Sequence, residues 1–233
     1  MLVIVDLDDT LCNTWEAGKS ALIKLMIHLI RKGRFRLVKY LLLGKYRSFE
    51  SIKRYHLLGP GELIKDVLLA LYPDIERAEV REMVELVEGD FFSKLRLYPD
   101  ALPFLRGLKE LGAKVALVTD SSSEWQRKKI ERLGIAGYFD DIIISGETGH
   151  SKLEPHNFVL AVERSGEDRV YVVGDRDDTD MMGAKAIGAV GILVRRGYFR
   201  NRIVRNADYT VKDLFEALKV IRSEEGNKGR AEA

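Results

Sequence analysis

Apolar and polar positions alternate along this chain in two different rhythms. From about Tyr98 onward, short apolar runs at residues 114–119, 141–145, 169–174 and 189–194 are separated by stretches with helical spacing. Leu102, Leu105, Leu108 and Leu111 mark one amphipathic helix, Phe158, Val159 and Val162 a second, and Val211, Leu214, Phe215 and Leu218 a third. Met1 to Val5 form a further uncharged run, and Tyr209, Thr210 and Val211 suit an edge strand. Short uncharged runs of this kind read as strands buried on both faces. Alternating with helices, they predict an α/β fold: a doubly wound, Rossmann-like parallel sheet with helices on each side.

Residues 13–96 break that rhythm. Leu22, Leu25, Met26, Leu29 and Ile30 mark one helical stripe, Leu63, Ile64, Val67, Leu68 and Leu71 another, and Val80, Met83, Val84 and Val87 a third. No strand-like run interrupts them, so an all-helical domain is predicted to be inserted after the first strand. The division is 1–12 plus 97–223 for the sheet domain, 13–96 for the insertion and 224–233 for a polar, disordered tail. The insertion is electrically lopsided: eleven basic residues against Glu50 alone between Lys19 and Arg54, then nine acidic against three basic from Glu62 to Asp90. The simplest account is solvated faces that neutralise one another.

The bulk figures narrow the class without naming a function. The chain has 233 residues, 46% of them hydrophobic, enough for one sizeable core and a smaller domain. Its net charge of +2 sets up no strong overall field. Cys12, the single cysteine, cannot close an internal disulfide and reads as a small buried hydrophobe. The N-terminus has no secretory pattern and no apolar run is long enough to span a membrane. A cytoplasmic protein is predicted. A second basic cluster, Arg195, Arg196, Arg200, Arg202 and Arg205, follows the fifth strand, but its spacing does not argue for nucleic acid.

Chemistry gathers where the predicted strands end. In a parallel sheet all strand C-termini lie on one rim, where open α/β folds bind ligands. The first strand delivers Asp6 and Asp8, two carboxylates that repel unless a hard divalent cation sits between them. The second ends in Thr119, Asp120, Ser121 and Ser122, hydroxyls at a helix start that suit an anion or a helix cap equally. Lys152 follows the third, and the fourth ends in Gly174, Asp175 and, after a short acidic stretch, Asp180. Each has a bland reading as cap or solvated turn, but four consecutive strand ends bearing carboxylates, a hydroxyl and a cation form a joint pattern.

Asp6, Asp8 and Thr10 at alternate positions, then Thr119, Lys152, Asp175 and Asp180 in that order after apolar strands, resemble the haloacid dehalogenase superfamily. The inserted helices look like its type-I cap, and the segments 98–108 and 180–189 resemble its phosphoglycolate phosphatase-like members. Two departures stand out: Lys152 is followed by Leu153 and Glu154 before Pro155, and Thr119 by Asp120 where a small or amide residue is usual. The resemblance implies a Mg²⁺-dependent phosphatase acting on a small phosphorylated metabolite. Asp6 would be the nucleophile, forming an aspartyl-phosphate. Asp8 would protonate the leaving alcohol and then act as base toward water. Thr119, Asp120 and Lys152 would hold the phosphoryl group, with Lys152 neutralising charge. Asp6, Asp8 and Asp175 would hold the metal, with Thr10 in support and Asp180 either supporting the metal or orienting Lys152. The cap would close over the site and exclude water. Asp8 also argues against carbon–halogen cleavage, since the related dehalogenases lack an aspartate there. Phosphoryl transfer within a sugar, as in the similar phosphoglucomutases, is the alternative; a non-catalytic basic binding protein is the outsider. The substrate and the oligomeric state are not legible.

Overall fold

The computed structural model describes residues 1–43 and 56–229. The predicted basic positions Lys45, Arg47, Lys53 and Arg54, with Glu50, lie outside the described residues. Strand β1 (Leu2–Val5) leads into four helices, α1 (Thr14–Arg31), α2 (Phe35–Leu42), α3 (Pro60–Leu71) and α4 (Arg77–Lys94). The chain continues through α5 (Ala101–Glu110), β2 (Lys114–Thr119), α6 (Ser123–Leu133), β3 (Asp141–Ile144), α7 (Ser145–Thr148) and α8 (His156–Ser165). It ends with β4 (Val170–Gly174), α9 (Met182–Ala186), β5 (Val190–Val194), β6 (Tyr209–Val211) and α10 (Leu214–Gly229).

The six strands form one parallel sheet in the order β3-β2-β1-β4-β5-β6. Strand periodicity sends alternate residues to opposite layers. Val3, Val5, Val115, Leu117, Tyr171 and Val173 meet Phe104 and Leu108 of α5 and Leu214, Ala217 and Ile221 of α10. Leu2, Ile4, Ala116, Val118, Val170 and Val172 meet Phe158 and Ala161 of α8 and Ala184 of α9. The sheet is therefore doubly wound, as the alternation of runs predicts. Because β1 is central, with β2 on one side and β4 on the other, the topological switch point falls at its C-terminal end.

Between β1 and α5 the inserted helical cap folds on itself, α1 against α4 and α3 against α4. The chain leaves and returns side by side: Cys12 bridges Leu97, Asn13 N–H donates to Arg96 O at 3.0 Å, and Arg96 N–H donates to Asn13 Oδ1 at 2.7 Å. Cys12 is fully buried, in keeping with a hydrophobic role. Among the described residues, no helix is long and apolar enough to cross a membrane.

Three apolar positions assigned to buried stripes instead face outward. Ile30 is 50% exposed because α1 buries Ala17, Ala21, Leu25 and Leu29, a line of strict four-residue spacing that passes Ile30 by. Val159 and Phe215 are exposed for the same angular reason. The tail is a larger correction: α10 continues to Gly229, so residues 224–229 are helical, and only 230–233 lie outside the described residues. Its carboxylates are tethered, with the Tyr171 hydroxyl donating to Glu225 at 2.8 Å, Arg169 pairing with Glu225 at 2.8 Å, and the Tyr209 hydroxyl donating to Glu224 at 2.6 Å.

One polar knot ties the first turn to two distant segments. Arg196 grips Asp100 with both terminal nitrogens and also donates to Thr10 O at 3.3 Å, while Leu214 N–H donates to Asp100 at 2.8 Å. Both side chains are nearly buried. Removing one partner strands the other charge, which costs about 3–5 kcal/mol for a buried pair. Asp100→Ala should lower the unfolding free energy by that amount in urea titration, with little change in the slope of the transition.

Candidate active site

Asp6 prolongs β1, its N–H donating to Val173 O at 3.0 Å. The chain then reverses sharply, with Leu11 and Cys12 N–H both donating to Leu7 O. This reversal holds Asp9 at φ +56°, where a side chain is disfavoured. Its carboxylate compensates by accepting from Trp15 N–H at 2.8 Å and Tyr198 N–H at 3.2 Å. The second contact needs Gly197, since a Cβ there would lie 2.3 Å from Asp9.

Three strand ends converge as the rim argument requires. Asp6, Asp175 and Asp180 are buried, with carboxylate oxygens within 4.8 Å of one another. Lys152, in the loop before α8, reaches between them: Nζ donates to Asp6 Oδ1 at 2.5 Å and to Asp180 Oδ1 at 2.7 Å. Asp180 is thus both a member of the carboxylate trio and the partner that orients Lys152. Gly174 makes room for it, because a Cβ at that position would lie 2.3 Å from Asp180 Oδ2.

Asp8 lies beside this group on a separate set of contacts. Its Oδ1 accepts from Lys129 Nζ and from the Thr14 hydroxyl, and its Oδ2 from Gln126 Nε2 at 2.8 Å. The same Gln126 nitrogen lies 2.8 Å from Thr119 Oγ1 and 2.5 Å from Asp120 O, so its two hydrogens are shared among three acceptors, and Thr119 itself is fully buried beside the cavity. Sequence reasoning missed Gln126 and Lys129. The signal was available: Trp125, Gln126, Lys129 and Ile130 share the buried face of α6, so a glutamine and a lysine occupy positions where an amphipathic helix puts apolar residues.

Asp120 lies at the cavity, with its carboxylate engaged by the chain itself. Its carboxylate accepts from Lys152 N–H at 2.9 Å and contacts His56 Nδ1 at 2.9 Å, bracing the lysine loop against the cap linker. A carboxylate repels phosphate, so only its backbone would suit an anion. The Thr10 hydroxyl is buried and has no protein partner among the described residues. Over the rim lies a cavity of about 510 Å³. Asp6, Asp8, Lys129, Lys152 and Asp175 line its floor, and Trp15, Leu63, Val87 and Phe91 of the cap its roof.

Burial and crowding set the protonation of these groups. Burial pushes the Asp6 carboxyl up to about 7 against the pull of Lys152, with Asp180 and Asp8 adding to the rise. Burial, then Asp6 and Asp180, hold Asp175 well above the carboxylate range. Burial works against the Lys152 ammonium, but Asp180 and Asp6 outweigh it and raise its pKa. At Asp8 burial also pushes upward, yet the Lys129 ammonium and the hydrogen bonds from Lys129, Thr14 and Gln126 hold it below the usual range.

The fold and this rim define a hydrolase class. Residues 1–188 match the haloacid dehalogenase-like hydrolase family, and the chain belongs to it. A glyceraldehyde 3-phosphate phosphatase of Methanopyrus kandleri is 36% identical over 186 residues, covering 76% of this chain and 78% of the relative. A ribulose-1,5-bisphosphate 5-phosphatase of Halopiger xanaduensis is 34% identical over 250 aligned positions, covering 94% and 98%. The crystal structure of a HAD phosphatase from Thermococcus onnurineus superposes with a TM-score of 0.71 at 26% identity, covering 94% of this chain and 96% of that one.

A stability test follows from Asp6. Unfolded, its carboxyl ionises near 3.8; folded, near 7, so the native state holds the extra proton between those values. The stability this contributes is fully present below about pH 4 and lost as pH rises through about 7. In EDTA, melting temperatures of wild type and Asp6→Asn should therefore diverge in the variant's favour from about pH 4 to 7. A gap that stays constant would contradict the assignment.

Proposed function

We propose that this hydrolase is a Mg²⁺-dependent phosphatase that releases inorganic phosphate from a small phosphorylated metabolite through an aspartyl-phosphate on Asp6. The observation that carries this reading is the position of Asp6 Oδ1: buried, 2.5 Å from the Lys152 ammonium, and facing a cavity large enough for a small ester. The names of the relatives point the same way, toward small sugar phosphates as the substrate class. In this reading residues 1–12 and 97–223 form the catalytic domain and 13–96 the cap that closes it. The buried Cys12 thiol suits a cytoplasmic setting.

The donor set fits a hard cation. Four carboxyl groups, Asp6, Asp8, Asp175 and Asp180, face two ammonium groups, Lys129 and Lys152, and burial and mutual repulsion hold Asp6 and Asp175 above the usual carboxylate range, a crowding that a cation would relieve. All the carboxylate donors are oxygen, as Mg²⁺ prefers. Asp6 and Asp175, with the backbone carbonyl of Asp8, would hold the ion. Bound there, it would offset repulsion between the Asp6 carboxylate and the phosphate dianion.

The remaining steps belong to the chain. Asp6 attacks phosphorus while Lys152 and the Thr119 hydroxyl hold the transferring oxygens. Asp8 serves the departing alcohol as acid and the incoming water as base. Cap residues over the cavity exclude bulk water and contact the leaving group. Lys152, fastened to both Asp6 and Asp180, keeps the nucleophile oriented before substrate arrives.

The test is direct. Wild type should release phosphate from p-nitrophenyl phosphate and from a triose phosphate, lose that activity in EDTA and recover it with Mg²⁺. Asp6→Asn should lose at least about 10³-fold in kcat, as removal of a nucleophile does. Isomerised sugar phosphate in place of free phosphate would indicate a mutase, and full activity in EDTA would remove the metal from the account.

A further inference from the structure

Lys129 is among the largest fully buried side chains of the protein, yet the steps above give it no work. Burying an ammonium costs several kcal/mol unless it is well paired. Its neighbour Lys128 avoids that cost by reaching the surface, where it pairs with Glu88 at 2.9 Å. Lys129 turns inward, and its partner is Asp8 Oδ1. The Thr14 hydroxyl donates to that same oxygen, and Gln126 donates to Oδ2 at 2.8 Å. Three donors from two elements thus fix both oxygens of one carboxylate. The Asp8 side chain still keeps 32% of its surface accessible, and it lines the cavity.

This arrangement presents Asp8 as an acceptor. Among the described residues, its side chain is met by the Thr14 hydroxyl, the Gln126 amide nitrogen and the Lys129 ammonium, the last of which can only donate. In the first half of a phosphatase cycle this residue brings a proton to the leaving alcohol; in the second it takes one from water. A carboxylate clamped by donors on both oxygens is prepared for the second task. We propose that Lys129 is a positioning residue that, with Gln126 and Thr14, fixes Asp8 in the orientation from which it takes a proton during hydrolysis of the aspartyl-phosphate. In that step a water oxygen bonds to phosphorus and its proton passes to Asp8. The bond between phosphorus and Asp6 breaks, its electron pair returning to the Asp6 carboxylate, and inorganic phosphate leaves.

The inference rests on the phosphatase reading, and one experiment separates the two. p-Nitrophenyl phosphate is the substrate, because its leaving group departs without a proton and phosphorylation of Asp6 then makes no demand on Asp8 as acid. For Lys129→Met, kcat should fall at least about 10-fold while kcat/KM stays within about threefold of wild type, since both kcat and KM drop when a covalent intermediate accumulates. The intact mass of acid-quenched enzyme should gain one phosphoryl group at steady state. In an Asp8→Asn background the same substitution should cost no more than about twofold further, because its effect runs through Asp8. If Lys129→Met does not melt cooperatively, Lys129→Gln, which removes the charge and is too short to reach Asp8 in the same way, carries the same comparison. An unchanged kcat, an equal loss in kcat and kcat/KM without phosphoenzyme, or a fully additive loss with Asp8→Asn would overturn the role of Lys129. A wild type without Mg²⁺-dependent activity, or an active Asp6→Asn, would overturn the phosphatase reading and this inference with it.

Discussion

Like charge crowded at the end of a rigid sheet is the constraint on which this site depends. Asp6, Asp175 and Asp180 are buried within 4.8 Å of one another, and Asp8 lies just beyond. An isolated buried carboxylate costs several kcal/mol, and several together repel as well. The fold tolerates them because two lysines are buried alongside, each committed to one aspartate of the first loop: Lys152 to Asp6 and Lys129 to Asp8. The carboxyls left without a cationic partner are held above their usual range by burial and by one another, and the proposed cation would relieve that crowding.

The parallel sheet explains why these groups meet at all. Asp6, Thr119 and Asp175 stand at or just past the ends of β1, β2 and β4, adjacent strands in register. Backbone pairing therefore fixes their spacing before any side chain is considered. The details that follow are steric and local. Gly174 gives Asp180 space, Gly197 gives Asp9 space, and Asp9 ties the first turn to the segment after β5. The helical cap completes the enclosure, anchored where Cys12 and Leu97 pass side by side and packed through Phe91 and Phe92 onto Trp125 of α6. The roof of the cavity thus comes from one chain excursion after β1, while its floor is drawn from several strand ends and α6.

Much of this was legible in the residues, and the gaps have physical causes. Strand runs and the carboxylates after them carry a strong signal because burial on both faces demands uncharged sequence and because charge at a strand end is conspicuous. The alternation of short runs and helical stripes therefore led to the doubly wound sheet, and Asp6, Lys152, Asp175 and Asp180 fell together as the rim rule requires. Side-chain direction was not legible. Asp120 lines the cavity, but that its carboxylate turns to Lys152 N–H and His56 could not be read, because a loop leaves χ angles open that spacing cannot fix. Lys129 was overlooked because a lysine in a charged helix defaults to solvent; only its phase on α6, beside Trp125 and Ile130, marks it as inward. The tail read as disordered from its polarity alone, whereas Arg169, Tyr171 and Tyr209 on the strand side hold its carboxylates and extend the helix.

The central claim is that Asp6 carries the phosphoryl group while sharing a cation with Asp175 and a hydrogen bond with Lys152. A crystal structure grown with Mg²⁺ and beryllofluoride, a stable mimic of an acyl-phosphate, tests it most directly. Beryllium bonded to an Asp6 oxygen, with the ion between Asp6 and Asp175 and Lys152 Nζ on a fluorine, is the predicted result. An adduct on any other residue, or an ion held away from Asp6 and Asp175, would contradict it.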